Sequence, residues 1–134
     1  MLVSFPHNPT TLTVNQEFYD ELVNLARRYN FLIINDFAYS DIYFNEEKPP
    51  SLLNSDPQFD HTVELYSLTK GYSMAGWRVG FAVGNESAIS SLTKLKSYID
   101  YGTFQPIQIA STVAINELDH YPREVSSIYQ ERKI

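Results

Sequence analysis

Between Tyr66 and Phe81 a chain with a formal net charge of −6 carries two cations and no carboxylate. The cations are Lys70 and Arg78, and Ser67 stands three positions before the lysine. An amine that sheds its proton is a nucleophile and a base, and a guanidinium is a fork for carboxylate or phosphate. The segment is therefore either a solvated basic turn or a place where an anionic ligand is held near a reactive amine. Other strand ends bear on that choice. Asn8 follows the apolar run that starts at Leu2, and Asp36 closes the run that starts at Phe31. Ser67 ends Val63–Ser67, and Arg78 opens the run that leads to Gly84. Several polar groups at the ends of separate apolar strands make the pattern of a ligand crevice along one edge of an α/β sheet. A structural role competes for Asp36, as a helix cap or an ion pair with Arg78, because a buried carboxylate needs a cationic or N–H partner.

The elements that must position these groups follow from hydrophobic spacing. Leu2–Phe5 reads as a short strand, and Asn8-Pro9-Thr10 as a turn. Thr13 and Gln16 form a capping-box pattern for a helix over 14–29, with Phe18, Leu22, Leu25, Ala26 and Tyr29 on its apolar face and Asn30 at its C-cap. The run over 31–36 is apolar without alternation until it ends in a carboxylate, which, reached through a helix, predicts a parallel strand buried on both faces. A βαβ unit results, with strands at 63–67 and 79–83 to follow. Residues 37–44 read as irregular or part of a short edge strand, 46–50 as a loop and 51–53 as a brief helical turn. Asn85 caps a further helix with Ile89, Leu92, Leu95, Lys96 and Ile99 on one face. A break at 101–103 precedes a helix over 106–118, and Pro122 opens the last one.

Composition narrows the class. With 134 residues, 43% hydrophobic and 19% charged, the chain reads as about one globular domain. Its acidity argues against a nucleic-acid or bilayer-surface binder, since phosphate binding needs a basic face. The absence of cysteine excludes thiolate metal sites and disulfide frameworks. The three histidines (7, 61 and 120) are scattered, so no metal centre is expected. No run is long enough for a transmembrane helix, and a cytoplasmic location is expected. Met1 leads straight into an apolar run, and 126–134 is a polar helical stretch without a capping residue. On those grounds the chain is expected to be a piece of a longer protein.

Taken together, Asn8-Pro9-Thr10, Asn35-Asp36-Phe37-Ala38-Tyr39, Ser67-Leu68-Thr69-Lys70 and Gly76-Trp77-Arg78-Val79-Gly80 resemble the motifs of the fold-type I aminotransferases that use pyridoxal phosphate. Lys96-Ser-Tyr-Ile-Asp-Tyr-Gly-Thr-Phe-Gln-Pro-Ile-Gln108 is similar to the alanine and diaminopimelate aminotransferase branch. The resemblance implies a three-layer α/β/α fold with a mostly parallel sheet. It implies that 1–134 form the central part of the cofactor-binding large domain, without its upstream segment and small C-terminal domain. Lys70 would join the cofactor aldehyde as a Schiff base and carry a proton from the substrate α-carbon. Asp36 would pair with the pyridine nitrogen, Tyr39 and Asn8 would bond the phenolate oxygen, and Ser67 and Arg78 would hold the phosphate. An amino acid and a 2-oxo acid would be the substrates, and a homodimer the assembly, with 101–105 reaching a neighbouring subunit.

Position 11 departs from the pattern, with threonine where the family often has glycine, so an altered turn is expected there. The ring-stacking aromatic, the phosphate-binding helix and the substrate carboxylate's arginine lie outside 1–134 in that family. The chain alone is therefore expected to be inactive, and a fragment serving only as a binding or interaction module is the alternative. An unpaired sheet edge is expected as well. Ser67 and Lys70 also fit the Ser-x-x-Lys of penicillin-binding proteins, but the Ser-Asp-Asn and Lys-Thr-Gly partners are missing.

Overall fold

A computed structural model describes residues 1–133; Ile134, the last residue of the expected 126–134 helical stretch, lies outside the described residues. In chain order the elements are β1 (Leu2–Ser4), α1 (Gln16–Tyr29), β2 (Ile33–Asp36), β3 (Thr62–Ser67), α2 (Leu68–Gly71), β4 (Gly80–Gly84), α3 (Glu86–Ile99), α4 (Gln105–Glu117) and α5 (Tyr121–Glu131). Short 3-10 turns occupy Leu52–Ser55 and Ala75–Trp77. The strands form one sheet in sequence order, with β1–β2 and β2–β3 parallel and β3–β4 antiparallel. The expected α/β fold with a mostly parallel sheet is therefore present. Strand β4 runs the other way because its connection stays at one sheet edge: Ser67 and Gly80 are cross-strand partners, so residues 68–79 leave and return at the same place. Strands β1 and β4 form the sheet's two edges.

Helix α1 begins two residues later than a cap at Thr13 would place it. Asn15 is the N-cap instead, its Oδ1 accepting from Phe18 N–H at 3.0 Å. Gln16 makes no capping box and donates to Ser55 Oγ at 2.6 Å. An amide oxygen next to the helix start outcompetes a hydroxyl two residues further out. Asn30 closes the helix in the left-handed region, φ 52°, as its spacing predicts. The buried face is also turned by about one residue from the expected one. It presents Tyr19, Leu22, Val23 and Ala26 to Ile33 and Leu52, while Leu25 and Tyr29 are exposed. Each large aliphatic side chain buried there contributes about 1.5–3 kcal/mol.

A buried carboxylate ties the core to the sheet. Glu64 of β3 accepts from Ser51 Oγ (2.7 Å), Leu52 N–H (2.9 Å) and Asn35 Nδ2 (3.1 Å), so its charge is met by three donors rather than by a cation. The turn before α1 keeps a glycine-like backbone although Thr11 stands there. Thr11 has φ 61°, and its N–H donates to His7 O at 2.8 Å. For a β-branched residue that is a strained conformation.

The later helices form where their caps and prolines predict, yet they bury little. Asn85 Oδ1 accepts from Ala88 N–H at 3.0 Å to start α3, but no residue of α3 is buried. The expected apolar face is present in sequence and open in the fold: Leu92, Leu95 and Ile99 are exposed, and Lys96 pairs with Asp100. Among the described residues no helix is long and apolar enough to cross a membrane.

Candidate active site

Strand register gathers the singled-out residues. Ser4 of β1 lies opposite Asp36 of β2, Asp36 lies opposite Leu65 of β3, and Ser67 lies opposite Gly80 of β4. The carboxyl ends of three parallel strands and the amino end of β4 therefore share one sheet edge. Asn8 leaves that edge after β1, Asp36 and Tyr39 after β2, and Ser67 and Lys70 after β3, while Arg78 enters it before β4. This is the crevice side of an open α/β sheet.

Three of the six side chains meet directly. Asn8 Nδ2 donates to Tyr39 Oη at 3.0 Å. Lys70 Nζ stands over the Tyr39 ring, 5.1 Å from its centroid, in cation–π geometry. Lys70 stands on the one-turn helix α2 between β3 and β4. Ser67 caps that helix, Oγ accepting from Thr69 N–H at 3.2 Å. Arg78 adopts the left-handed region, φ 53° and ψ 51°, and its Nη1 donates to Ala75 O at 3.0 Å. A non-glycine residue held there is strained by about 1–3 kcal/mol, a pattern that clusters at ligand sites.

Asp36 is exposed rather than buried. One of its oxygens accepts from Ala38 N–H at 3.2 Å, and among the described residues it makes no ion pair. The structural bridge from Asp36 to Arg78 is therefore absent. A cleft of about 590 Å³ is lined by Asn8 and Tyr39 together with Val14, Tyr43 and Phe44. Lys70, Asp36, Ser67 and Arg78 do not line it, so it adjoins the gathered edge rather than coinciding with it.

Sequence reasoning missed a second layer. Asp41 accepts a hydrogen bond from the Tyr66 hydroxyl. Burial, and then this contact with Asp41, push the Tyr66 hydroxyl well above its ordinary range. Burial followed by the charges of Asp41 and Asp119 also raises Tyr72. Asp41 sits two positions after Tyr39 in an aromatic-rich stretch, and that isolated carboxylate was the available signal.

The sequence profile of the family described as "Aminotransferase class I and II" matches residues 1–134. The chain belongs to that family. It is 42% identical over 133 residues to the glutamate-pyruvate aminotransferase AlaC of Escherichia coli (strain K12), covering 99% of this chain and 32% of that protein. It is 42% identical over 134 residues to an LL-diaminopimelate aminotransferase of Nitratidesulfovibrio vulgaris (strain DSM 19637 / Miyazaki F), covering 99% of this chain and 34% of that protein. The fold matches an aminotransferase from Staphylococcus aureus with a TM-score of 0.91 at 38% identity, over 98% of this chain and 35% of that one. This aminotransferase-family chain thus spans about a third of the length of the relatives it matches.

Proposed function

We propose that this chain is the central part of the cofactor-binding large domain of a pyridoxal-phosphate-dependent aminotransferase, which moves an amino group between an amino acid and a 2-oxo acid. The observation that carries this reading is the meeting of Asn8, Tyr39 and Lys70 at the sheet edge where Asp36, Ser67 and Arg78 also stand. The cofactor has four kinds of polar group: an aldehyde, a phenolate oxygen, a basic ring nitrogen and a phosphate. This edge offers an amine, a phenol with an amide, a carboxylate, and a hydroxyl with a guanidinium.

Each side chain also keeps capacity free. Tyr39 Oη accepts from Asn8, which leaves its own hydrogen to donate to an anionic oxygen. Ser67 Oγ accepts from Thr69 N–H and likewise keeps a hydrogen for a phosphate oxygen. Arg78 uses Nη1 on Ala75 O, and its other N–H groups remain for an anion. Asp36 Oδ1 takes one N–H, and among the described residues Asp36 makes no ion pair.

When bound, pyridoxal phosphate supplies an aldehyde that condenses with amines and a ring that takes up the electron pair left at an amino acid's α-carbon. The chain's own part is positioning and proton handling. Lys70 Nζ would hold the aldehyde end and, as a free amine, would serve as the general base toward the substrate α-carbon proton. Asp36 would hold the ring nitrogen by ion pairing. Tyr39 and Asn8 would bind an anionic ring oxygen, and Ser67 and Arg78 would bind the phosphate. The same reading includes a homodimer in the cytoplasm. It also includes further segments of a longer protein, in keeping with the share of its relatives that this chain matches and with the exposed apolar residues of α3 and α4.

Adding pyridoxal phosphate to the intact chain tests this. A visible absorbance band is expected, and borohydride reduction followed by peptide mapping should place the cofactor on Lys70. Lys70→Ala should abolish both signals. A reduced adduct spread over the other lysines, or no band at all, would leave the chain a binding or interaction module.

A further inference from the structure

Asp41 touches two elements that carry the site, although it lies two residues beyond the last site residue of its own loop. Its carboxylate accepts from the Tyr66 hydroxyl. Tyr66 immediately precedes Ser67, the cap of α2, and its ring is stacked on Phe81 of β4 with centroids 4.8 Å apart. The same side chain fills the space where Gly71, the residue after Lys70, lacks a Cβ. A Cβ there would stand 2.5 Å from Asp41 Oδ2 and 2.8 Å from Asp41 Cβ, closer than real side chains come. Gly71 is thus needed for close approach rather than for backbone freedom. The loop itself is a series of turns rooted on the sheet: Phe37 N–H donates to Leu65 O (2.9 Å), and Ile42 N–H donates to Tyr39 O (3.1 Å). The Tyr39 hydroxyl itself accepts from Asn8, on the separate turn after β1.

We propose that Asp41 is a positioning residue: held by the Tyr66 hydroxyl and seated against Gly71, it sets the Tyr39 ring and hydroxyl against the Lys70 amine. One carboxylate locks the Tyr39-bearing loop to the strand that leads into α2 and to the end of α2 itself. A hydrogen bond to a carboxylate is among the stronger ones available, and the stacked tyrosine cannot follow the loop if the loop moves. The chemical consequence rests on the functional reading above, since only a reactive lysine profits from a fixed phenol beside it. The geometric claim stands by itself.

The decisive variants separate the hydroxyl from the ring and the acceptor from the charge. Tyr66→Phe keeps the ring on Phe81 and removes the hydroxyl, Asp41→Ala removes the acceptor, and Asp41→Asn keeps an acceptor oxygen. In the intact chain without cofactor, lysines are reductively methylated with isotope-labelled formaldehyde. The Lys70 signal is assigned by its loss in Lys70→Arg. The Tyr39 ring current displaces that signal, and Lys133, whose Nζ lies 4.9 Å from the Phe44 ring centroid, is the internal control. The Lys70 displacement should fall by more than half in Tyr66→Phe and Asp41→Ala and persist in Asp41→Asn, with Lys133 unmoved. An unchanged Lys70 signal in Tyr66→Phe overturns the proposal, and that variant decides the matter if Asp41→Ala does not fold. If the displacement behaves as expected while pyridoxal phosphate gives no band, the functional reading falls and the positioning role of Asp41 stands.

Discussion

Helices α1 and α3 are built to the same local plan and end in opposite states. Each has fourteen residues, and each starts at an asparagine whose Oδ1 accepts an N–H three residues on, at 3.0 Å in both. Each carries apolar residues at helical spacing. Helix α1 buries Tyr19, Leu22, Val23 and Ala26 against the sheet and the 52–55 turn, whereas α3 buries nothing, and Leu95 is 56% exposed. Capping and periodicity therefore specify that a helix forms and which face is apolar. Whether that face contributes to stability depends on a second surface, and of these two helices α1 has one and α3, among the described residues, does not.

Substitution on the two faces should give the largest contrast. Leu22→Ala removes a side chain that is 6% exposed and should cost about 2–5 kcal/mol, the transfer term plus the cavity left behind. Leu95→Ala should stay within about 0.5 kcal/mol, as at other exposed positions. Urea unfolding of the chain measures both. Comparable losses at the two sites would mean that α3 packs on something in solution and would erase the contrast.

Electrostatics divide the helices in the same way, with a smaller effect. Arg27 of α1 reaches Asp56 at 3.1 Å, and that carboxylate also accepts from His61 N–H (2.8 Å) and Thr62 Oγ1 (3.2 Å). Burial raises the Asp56 pKa, but these three donors outweigh it and hold the carboxyl below its ordinary range. The unfolded chain thus takes up this proton more readily than the folded one. The stability Asp56 contributes is complete above the ordinary carboxylate range and is lost as pH falls through the folded value. Asp56→Asn should cost about 1–3 kcal/mol near neutrality and flatten the acid limb of a melting-temperature profile. Asp100 is also held below its ordinary range, by Lys96 and then Gly102 N–H, but that pair lies in solvent on α3. Asp100→Asn should leave the profile unchanged at moderate salt.

The same local-versus-distant division explains what could be read from the sequence. Strand ends carrying Asn8, Asp36 and Ser67 were legible because parallel strands joined by crossovers must end on one edge, whatever their side chains do; Arg78 joins them because antiparallel β4 starts where β3 ends. The caps Asn30 and Asn85 were legible because a cap is decided within a few residues. The burial of Tyr19 and Val23 in place of Leu25 and Tyr29 was not, since it depends on how α1 rolls onto Ile33 and Leu52. Helix α2 was too short for any periodicity. The contact between Asp41 and Tyr66 joins residues 25 positions apart, and no spacing rule reaches that far.

The smallest predicted effect is also the one that best isolates the local plan from its surroundings. Asn15→Ala and Asn85→Ala each delete one hydrogen bond to an otherwise unpartnered N–H of a helix's first turn. A cap is worth about 1 kcal/mol wherever it stands. If capping is local, the two substitutions should cost similar amounts to their own helices, read by hydrogen exchange at Phe18 and Ala88, although one helix is packed and the other is not. Global stability should respond differently. Fraying at Asn15 loosens Tyr19, which is fully buried in the core, so that loss should reach the global unfolding transition. The fraying caused by Asn85→Ala should stay within α3, because no buried side chain depends on its first turn. An Asn85→Ala that lowered the global midpoint as far as Asn15→Ala would show that α3 is coupled to the core through its first turn and the strand before it. Asn85 offers one such route, because its Nδ2 donates to Asp60 O at 2.8 Å and its backbone N–H donates to Thr62 O at 2.7 Å. The alanine variant keeps the backbone bond and loses the side-chain one, so the size of the global shift measures how much of that coupling runs through the amide.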